Sequence, residues 1–374
     1  MTAPFRIVAR DPGSAARGGV ISTGHGSIET PAFAPVASQG TVKGLTHETL
    51  MGLGAQLILA NSYHLFLRPG TDVIRSLGGL HSFISWPKPI LTDSGGFQIY
   101  SLSPLAKVKR DGVAFASHLD GTKYFLTPEN VVDIQLALGS DIMMALDYFV
   151  PYPSAEEKVE ESVTTTSRWA KRTREQARRF DAGSQIWGIV QGGVHPGLRR
   201  RSAEELVELN FDGYAIGGLG LGEAKSQLYE TLDLCDGLLP KDKPRYLMGM
   251  GYIQDVVEAV ERGVDLFDCV LPTRNARNGM LFTSRGPIVI KNQKYARDAR
   301  PPDEDCSCAT CRNFSRAYLR HLYERQEISS AVLNTVHNLH FYLDIFAKIR
   351  QSISLKTFQD LKSSILNKLK EGYP

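Results

Sequence analysis

Eight short apolar segments recur along the chain, and this recurrence limits its fold more than any other feature. They are PAFAPVA (31–37), QLILANS (56–62), PILTDSG (89–95), SDIMMALD (140–147), IWGIVQG (186–192), GYAIGGL (213–219), RYLMGMG (245–251) and LFDCVLP (266–272). Each is continuous rather than alternating, the pattern of parallel strands buried on both faces. Helical stretches fit between several of them. Thr127-Pro128 opens one that closes on Gly139, an N-cap, a first-turn proline and a C-terminal glycine. Ser154 with Glu157 reads as a capping box for the charged stretch through Arg179. The run IQDVVEAVER closes on Gly263. Eight β/α units predict an α/β fold, a (β/α)8 TIM barrel, with a doubly wound sheet as the runner-up. FRIVAR, GGVIST and GSIET read as a small antiparallel opening, and DGVAFASHLDGTKYFLT as a hairpin turning at Asp120-Gly121.

The chain has 374 residues, 42% of them hydrophobic, enough for a barrel with insertions. Net charge is only +3, so charge alone gives no global nucleic-acid signature. Between Arg274 and Arg325, however, eleven Lys/Arg stand against five Asp/Glu, a local +6 that leaves about −3 for the remainder. A basic region on a near-neutral protein predicts a confined polyanion site. No apolar run approaches the length of a membrane span, and no basic-then-apolar leader opens the chain; the expected location is cytoplasmic, with no membrane partner.

Working residues of such barrels lie at the C-terminal ends of the strands. Here those ends carry Asp93, Asp147, Gln191, Gly218, Met248 and Asp268. The set suits a purine. Asp147 can accept from the N1–H and amino edge of guanine, while Gln191 and the Gly218 backbone can donate to O6. Phe97 can stack on the ring and Met248 pack beneath it. Asp93 and Asp268 then remain as a carboxylate pair, the equipment for retaining displacement at a glycosidic carbon. Asp268 interrupts an apolar run, a costly place for an acid that is neither paired nor working. Just beyond it, Arg274 and Arg277 with Asn275 and Asn278 offer a polyanion contact.

Cys306, Cys308 and Cys311 place three thiols within six residues. In a reducing compartment that spacing predicts one structural Zn²⁺ per chain. His321, His337 and His340 are all candidates for the fourth ligand. Cys235 and Cys269 read as buried packing residues. The expected organisation is a barrel with its N-terminal β region over 1–283, a zinc-binding subdomain over 284–340 and a helical segment over 341–374 packing on the barrel.

The motifs LTDSGGFQ (91–98), GIVQGG (188–193), AIGGLGLGE (215–223), RYLMGMG (245–251), FDCVLPTRNARNG (267–279) and CSCATC with a distant His together resemble the tRNA-guanine transglycosylases of bacterial type, from about Phe5 to Leu369. The resemblance implies exchange of the wobble guanine of GUN-anticodon tRNAs (for Asp, Asn, His and Tyr) for 7-aminomethyl-7-deazaguanine, through a covalent enzyme–RNA intermediate, on the route to queuosine. It implies Asp268 as nucleophile and Asp93 as general acid/base. It gives the base to Asp93, Ser94, Gly95, Gly96, Phe97, Asp147, Gln191 and Gly218. It gives tRNA contacts to Gly249, Met250, Gly251, Tyr252, Ile253, Gln254 and Asp255, and to Thr273, Arg274, Asn275, Ala276 and Arg277. It selects His337 to complete the zinc site, and it implies a homodimer formed through the zinc region, where Phe314, Tyr318 and His321 hold the matching aromatic positions. The chain departs from the family at Tyr148-Phe149-Val150, where Glu-Cys-Thr is usual, at Phe97 for a frequent Tyr, and at Leu221, where bacterial members carry Val and queuine-using eukaryotic members Gly. Leu221 and Phe149 add bulk beside the base substituent, so guanine and the aminomethyl base are the expected substrates and queuine a poor one. The rival readings are direct queuine insertion, a non-catalytic tRNA-binding subunit and a hydrolase that stops at base loss.

Overall fold

The computed structural model describes residues 4–102, 106–180 and 183–372. All eight apolar segments form strands: β1 (Ala32–Ala37), β2 (Ile58–Ala60), β3 (Ile90–Thr92), β4 (Ile142–Met144), β5 (Gln185–Val190), β6 (Gly213–Ile216), β7 (Arg245–Leu247) and β8 (Leu266–Cys269). They pair in parallel into one closed barrel, with β8 returning to β1 through the register Leu266↔Ala32 and Asp268↔Ala34. Closure decides against the doubly wound sheet. Successive side chains of a strand point to opposite faces, and the core divides accordingly. Ala32, Ala34, Leu57, Leu59, Leu91, Ile142, Met144, Trp187, Ile189, Ala215, Tyr246 and Leu266 pack in one cluster inside the barrel. Phe33, Ile58, Ile90, Met143, Ile186, Tyr214, Leu247 and Phe267 belong to the cluster shared with the surrounding helices.

The N-terminal strands Phe5–Arg10, Arg17–Thr23 and Gly26–Thr30 form an antiparallel sheet. Its Phe5, Ile21 and Ile28 join the interior cluster, so the sheet plugs the end of the barrel away from the C-terminal strand ends. Arg17 reinforces the plug through a buried ion pair to Asp265, 2.9 and 2.6 Å. Between β3 and its helix, Gly112–Ala116 and Lys123–Leu126 form the expected hairpin, with Lys107–Lys109 as a third strand.

Helix Pro128–Leu138 is capped by Thr127, whose side chain accepts from the Asn130 N–H, and closes on Gly139 in the left-handed region, φ 72°. The Ser154 capping box does not form. The Ser154 hydroxyl donates to the Pro151 carbonyl at 2.6 Å, so its oxygen closes the preceding turn instead. The helix then starts at Glu156 with Ala155 as its N-cap, and Glu156 and Glu157 in the first turn complement the helix dipole. Helix Ile328–Leu355 runs against the barrel and is followed by Phe358–Gly372. Among the described residues no helix is long and apolar enough to cross a membrane.

Candidate active site

β3, β4, β5 and β8 bring Asp93, Asp147, Gln191 and Asp268 to one mouth. Asp93 directly follows β3. It is buried and accepts from the Asn61 side-chain amide and, at 3.0 and 3.3 Å, from the Ser62 backbone N–H and hydroxyl. Burial pushes its acid up to about 7, and the nearby Asp268 charge adds to the rise. A carboxyl with that value carries its proton for much of the neutral range.

Asp268 sits on β8 and turns into the mouth. Two donors converge on one of its oxygens: the Tyr246 hydroxyl at 2.6 Å and the Gly249 N–H at 2.8 Å, both to Oδ1. Oδ2 is left for other work. Burial raises the Asp268 pKa, and these two donors oppose the rise by favouring the carboxylate. Tyr246 is itself fully buried in β7, and desolvation together with the adjacent Asp268 holds its own pKa well above the ordinary phenol value, so it stays a donor.

Asp147, just past β4, accepts from Ser94 Oγ at 2.8 Å and Gln191 Nε2 at 2.7 Å. Burial raises its pKa too. The three side chains form a linked floor that two glycines permit. A Cβ on Gly96 would stand 2.8 Å from the Asp147 carbonyl oxygen, and one on Gly218 would stand 2.8 Å from Gln191 Oε1. Gly218 also adopts φ 68°, a conformation glycine enters without steric cost. Phe97, half exposed, meets Phe149 edge-on at 5.0 Å, and Tyr100 closes on Phe149 at 5.1 Å. Asp147, Gly96 and Phe149 also line a cavity of about 460 Å³ that reaches Lys158 and Trp169. Across the mouth, Met248 packs against the barrel interior. Glu223 accepts from the Gly220 and Leu221 N–H groups at 2.5 and 2.8 Å and so fixes the loop that carries Leu221.

The RNA stretches divide by exposure. Gly249, Tyr252 and Arg274 are exposed, and Gln254, Asn275 and Arg277 half-buried. Met250, Gly251, Ile253, Asp255, Thr273 and Ala276 are buried. The Asp255 carboxylate is engaged by Lys225 and the Tyr229 hydroxyl. Residues Leu271–Arg277 form a short helix. Arg277 Nη1 is buried without a hydrogen-bond partner among the described residues, and Arg274 beside it lowers the Arg277 pKa further after burial. Helix Ile328–Leu355 holds this segment: Asn338 donates to the Pro272 and Met280 carbonyls at 2.9 and 3.0 Å and accepts from the Phe282 N–H at 2.9 Å. The Tyr342 hydroxyl reaches the Gly251 carbonyl at 2.5 Å. Asn61, Tyr246, Asn338 and Tyr342 were not legible as site residues, because each works through a partner remote in sequence.

Cys306, Cys308, Cys311 and His337 form a group that could hold a metal ion. His337 Nδ1 lies 3.7, 3.6 and 3.2 Å from the three sulfurs; tetrahedral ligation with ordinary Zn–S and Zn–N lengths gives about 3.6 Å. His337 Nε2 meets the Phe282 carbonyl at 2.7 Å, which directs Nδ1 to the sulfurs. His340 Nδ1 approaches Cys306 alone, at 3.6 Å. His321 is exposed on the separate helix Arg316–Glu324. Cys235 and Cys269 are both buried, as expected of packing residues.

A family model described as queuine tRNA-ribosyltransferase matches residues 11–371. A queuine tRNA-ribosyltransferase of Thermodesulfovibrio yellowstonii is 53% identical over 369 residues, covering 99% of this chain and 96% of that protein. Proteins of the same name from Caldanaerobacter subterraneus subsp. tengcongensis and Moorella thermoacetica are each 50% identical, over 97% and 98% of both chains respectively. A match across almost the full length, at identities of 50% and above, places this closed-barrel chain in the queuine tRNA-ribosyltransferase family, the tRNA-guanine transglycosylases.

Proposed function

We propose that this chain exchanges the wobble guanine of GUN-anticodon tRNAs, those for Asp, Asn, His and Tyr, for 7-aminomethyl-7-deazaguanine on the route to queuosine. The observation that carries the reading is the division of labour between two carboxylates. Asp268 has one oxygen held by Tyr246 and Gly249 and the other free, while buried Asp93 takes a proton near neutrality. Asp268 Oδ2 attacks C1′ of the wobble nucleotide. The C1′–N9 bond breaks, its electron pair leaves with guanine, and the Asp93 proton neutralises the departing base. The incoming deazaguanine gives its N9 proton to Asp93 and attacks C1′, and Asp268 leaves. Two inversions retain the sugar configuration, and no energy cofactor enters the balance. Ser94, Gly95, Gly96, Phe97, Asp147, Gln191, Gly218 and Met248 hold the base, which must leave its stack to reach them. Gly249 to Asp255 and Thr273 to Arg277 serve the RNA, the exposed members by contact and the buried ones by holding the backbone.

Cys306, Cys308, Cys311 and His337 hold one Zn²⁺ per chain. Thiolate-rich closed sites are structural, and the ion would fasten the 306–311 loop to helix Ile328–Leu355. A homodimer through this region is supported by Tyr318, 43% exposed and stacked on Phe314 at 5.4 Å. The experiment that tests the reaction is covalent trapping. Wild type mixed with substrate RNA and no free base should yield a protein–RNA adduct on denaturing gels, and Asp268→Asn should yield none. An equal adduct from the variant would move the nucleophile elsewhere. Radiolabelled guanine separates the rivals: incorporation into tRNA supports exchange, net base loss a hydrolase, and neither a binding subunit.

A further inference from the structure

A second group of potential metal ligands lies at the opposite end of the barrel from the carboxylates of the mouth. It consists of His25, His81 and Asp141, whose ligand atoms all lie within 4.8 Å of one another. Asp141 immediately precedes β4, His25 sits in the turn between Arg17–Thr23 and Gly26–Thr30, and His81 lies on helix Gly79–Ile84. Asp93 and Asp147 follow the C-terminal ends of their strands, so this cluster is no part of the base-exchange site.

Its geometry is specific. His25 Nδ1 stands 2.8 Å from Asp141 Oδ1, and His81 Nε2 stands 3.1 Å from Asp141 Oδ2. The two imidazoles stack, centroids 3.5 Å apart and planes within 14°, so both nitrogens face the carboxylate from one side. Each carboxylate oxygen also accepts one backbone N–H, from His25 at 3.2 Å and from Ile90 at 2.9 Å. These amides fix the carboxylate and leave one lone pair per oxygen toward the rings. Neighbouring ligands about 2.1 Å from a metal and at right angles to each other are ~3.0 Å apart, a separation that falls between the two nitrogen–oxygen distances. Each imidazole would ligate through an unprotonated nitrogen.

The geometry points to a second metal site, in which His25 Nδ1, His81 Nε2 and a bidentate Asp141 bind a first-row divalent ion such as Zn²⁺, Ni²⁺ or Co²⁺. The Asp141 side chain is 3% exposed and that of His25 45%, so the inner ligand is fixed and the outer face stays open to water. The ion would staple the N-terminal plug to β3, β4 and helix Gly79–Ile84. It takes the place of the two ring-nitrogen hydrogen bonds to Asp141, and each ligating nitrogen gives up its proton to the other nitrogen of its ring or to solvent.

The test uses the full chain with its cysteine site already loaded with zinc, titrated with NiCl₂ and, separately, CoCl₂. Saturable binding of one further ion per chain is expected. The cobalt form should show visible d–d bands without the sulfur-to-cobalt charge-transfer absorption that thiolate ligation gives. Thermal unfolding should shift upward with added metal, because an ion that binds only the folded chain stabilises it by mass action. His81→Ala should weaken this binding by at least about tenfold and leave the zinc content unchanged. His25→Ala, at a half-exposed turn position, should do the same without endangering the fold. Absence of saturable binding beyond the cysteine site would overturn the assignment, as would undiminished binding in the His25→Ala variant.

Discussion

Asp93 shows how one buried side chain sets a pH dependence. Its acid form predominates below about 7, and in the proposed reaction that form protonates the departing base. Single-turnover guanine release should therefore fall as pH rises through about 7. The Asn61 amide stabilises the ionised form, so Asn61→Ala removes support for the carboxylate and raises the pKa further. The falling limb in the variant should move to higher pH, and a limb that stays or moves down would exclude Asp93 as the acid. A second residue-scale prediction concerns the incoming base. The Leu221 N–H and its neighbour are bound by Glu223, so its side chain sits on a fixed loop. Overpacking a formed pocket costs roughly 1–3 kcal/mol. Wild type should use guanine and the aminomethyl base and discriminate against queuine by about tenfold to hundredfold. Leu221→Gly should narrow that gap in a competition assay, and equal use of queuine by wild type would end the steric argument.

At the scale of the element, helix Ile328–Leu355 serves two sites. Asn338 and Tyr342 hold the segments that carry Arg274 and Gly251, while His337 reaches all three sulfurs. His337→Ala should therefore lose metal and thermal stability together, since ligation and local folding are coupled. His340→Ala should keep a full metal equivalent, because Nδ1 of His340 approaches Cys306 alone. Elemental analysis with thermal unfolding decides the matter; metal loss in His340→Ala with retention in His337→Ala would reverse the ligand assignment. The two histidines are three residues apart on one helical face, so spacing alone left both open. The Ser154 cap failed for a similar reason: the hydroxyl had a competing partner in the Pro151 carbonyl, and turn geometry decides such contests.

For the whole molecule the question is how a chain of net charge +3 holds a polyanion. Arg274 is exposed, and Arg277 has a buried nitrogen with no hydrogen-bond partner among the described residues. In the proposed function both serve the RNA near the mouth. Affinity for tRNA should fall steeply with salt through counterion release. Removing Arg274 or Arg277 should weaken binding and lower the slope of log K against log salt by about 1 each. An affinity flat between roughly 50 and 200 mM salt would remove the basic region from the RNA path.

The order of eight buried strands was legible in the chain, because a strand covered on both faces must be apolar throughout. So were the carboxylates, the glycines beside them and the thiol cluster, each an unusual residue in an otherwise apolar or short-range pattern. Tertiary structure alone decided which groups surround them. Tyr246 reaches Asp268 across 22 positions, Asn61 reaches Asp93 across 32, and Asn338 reaches Pro272 across 66. It also turned Asp255 inward, made a helix of 271–277 and set His25 and His81 on Asp141. The physical reason is that strand identity follows from the local need to bury apolar side chains, whereas the partner of a polar group is fixed only when barrel closure brings distant strands and helices to one end.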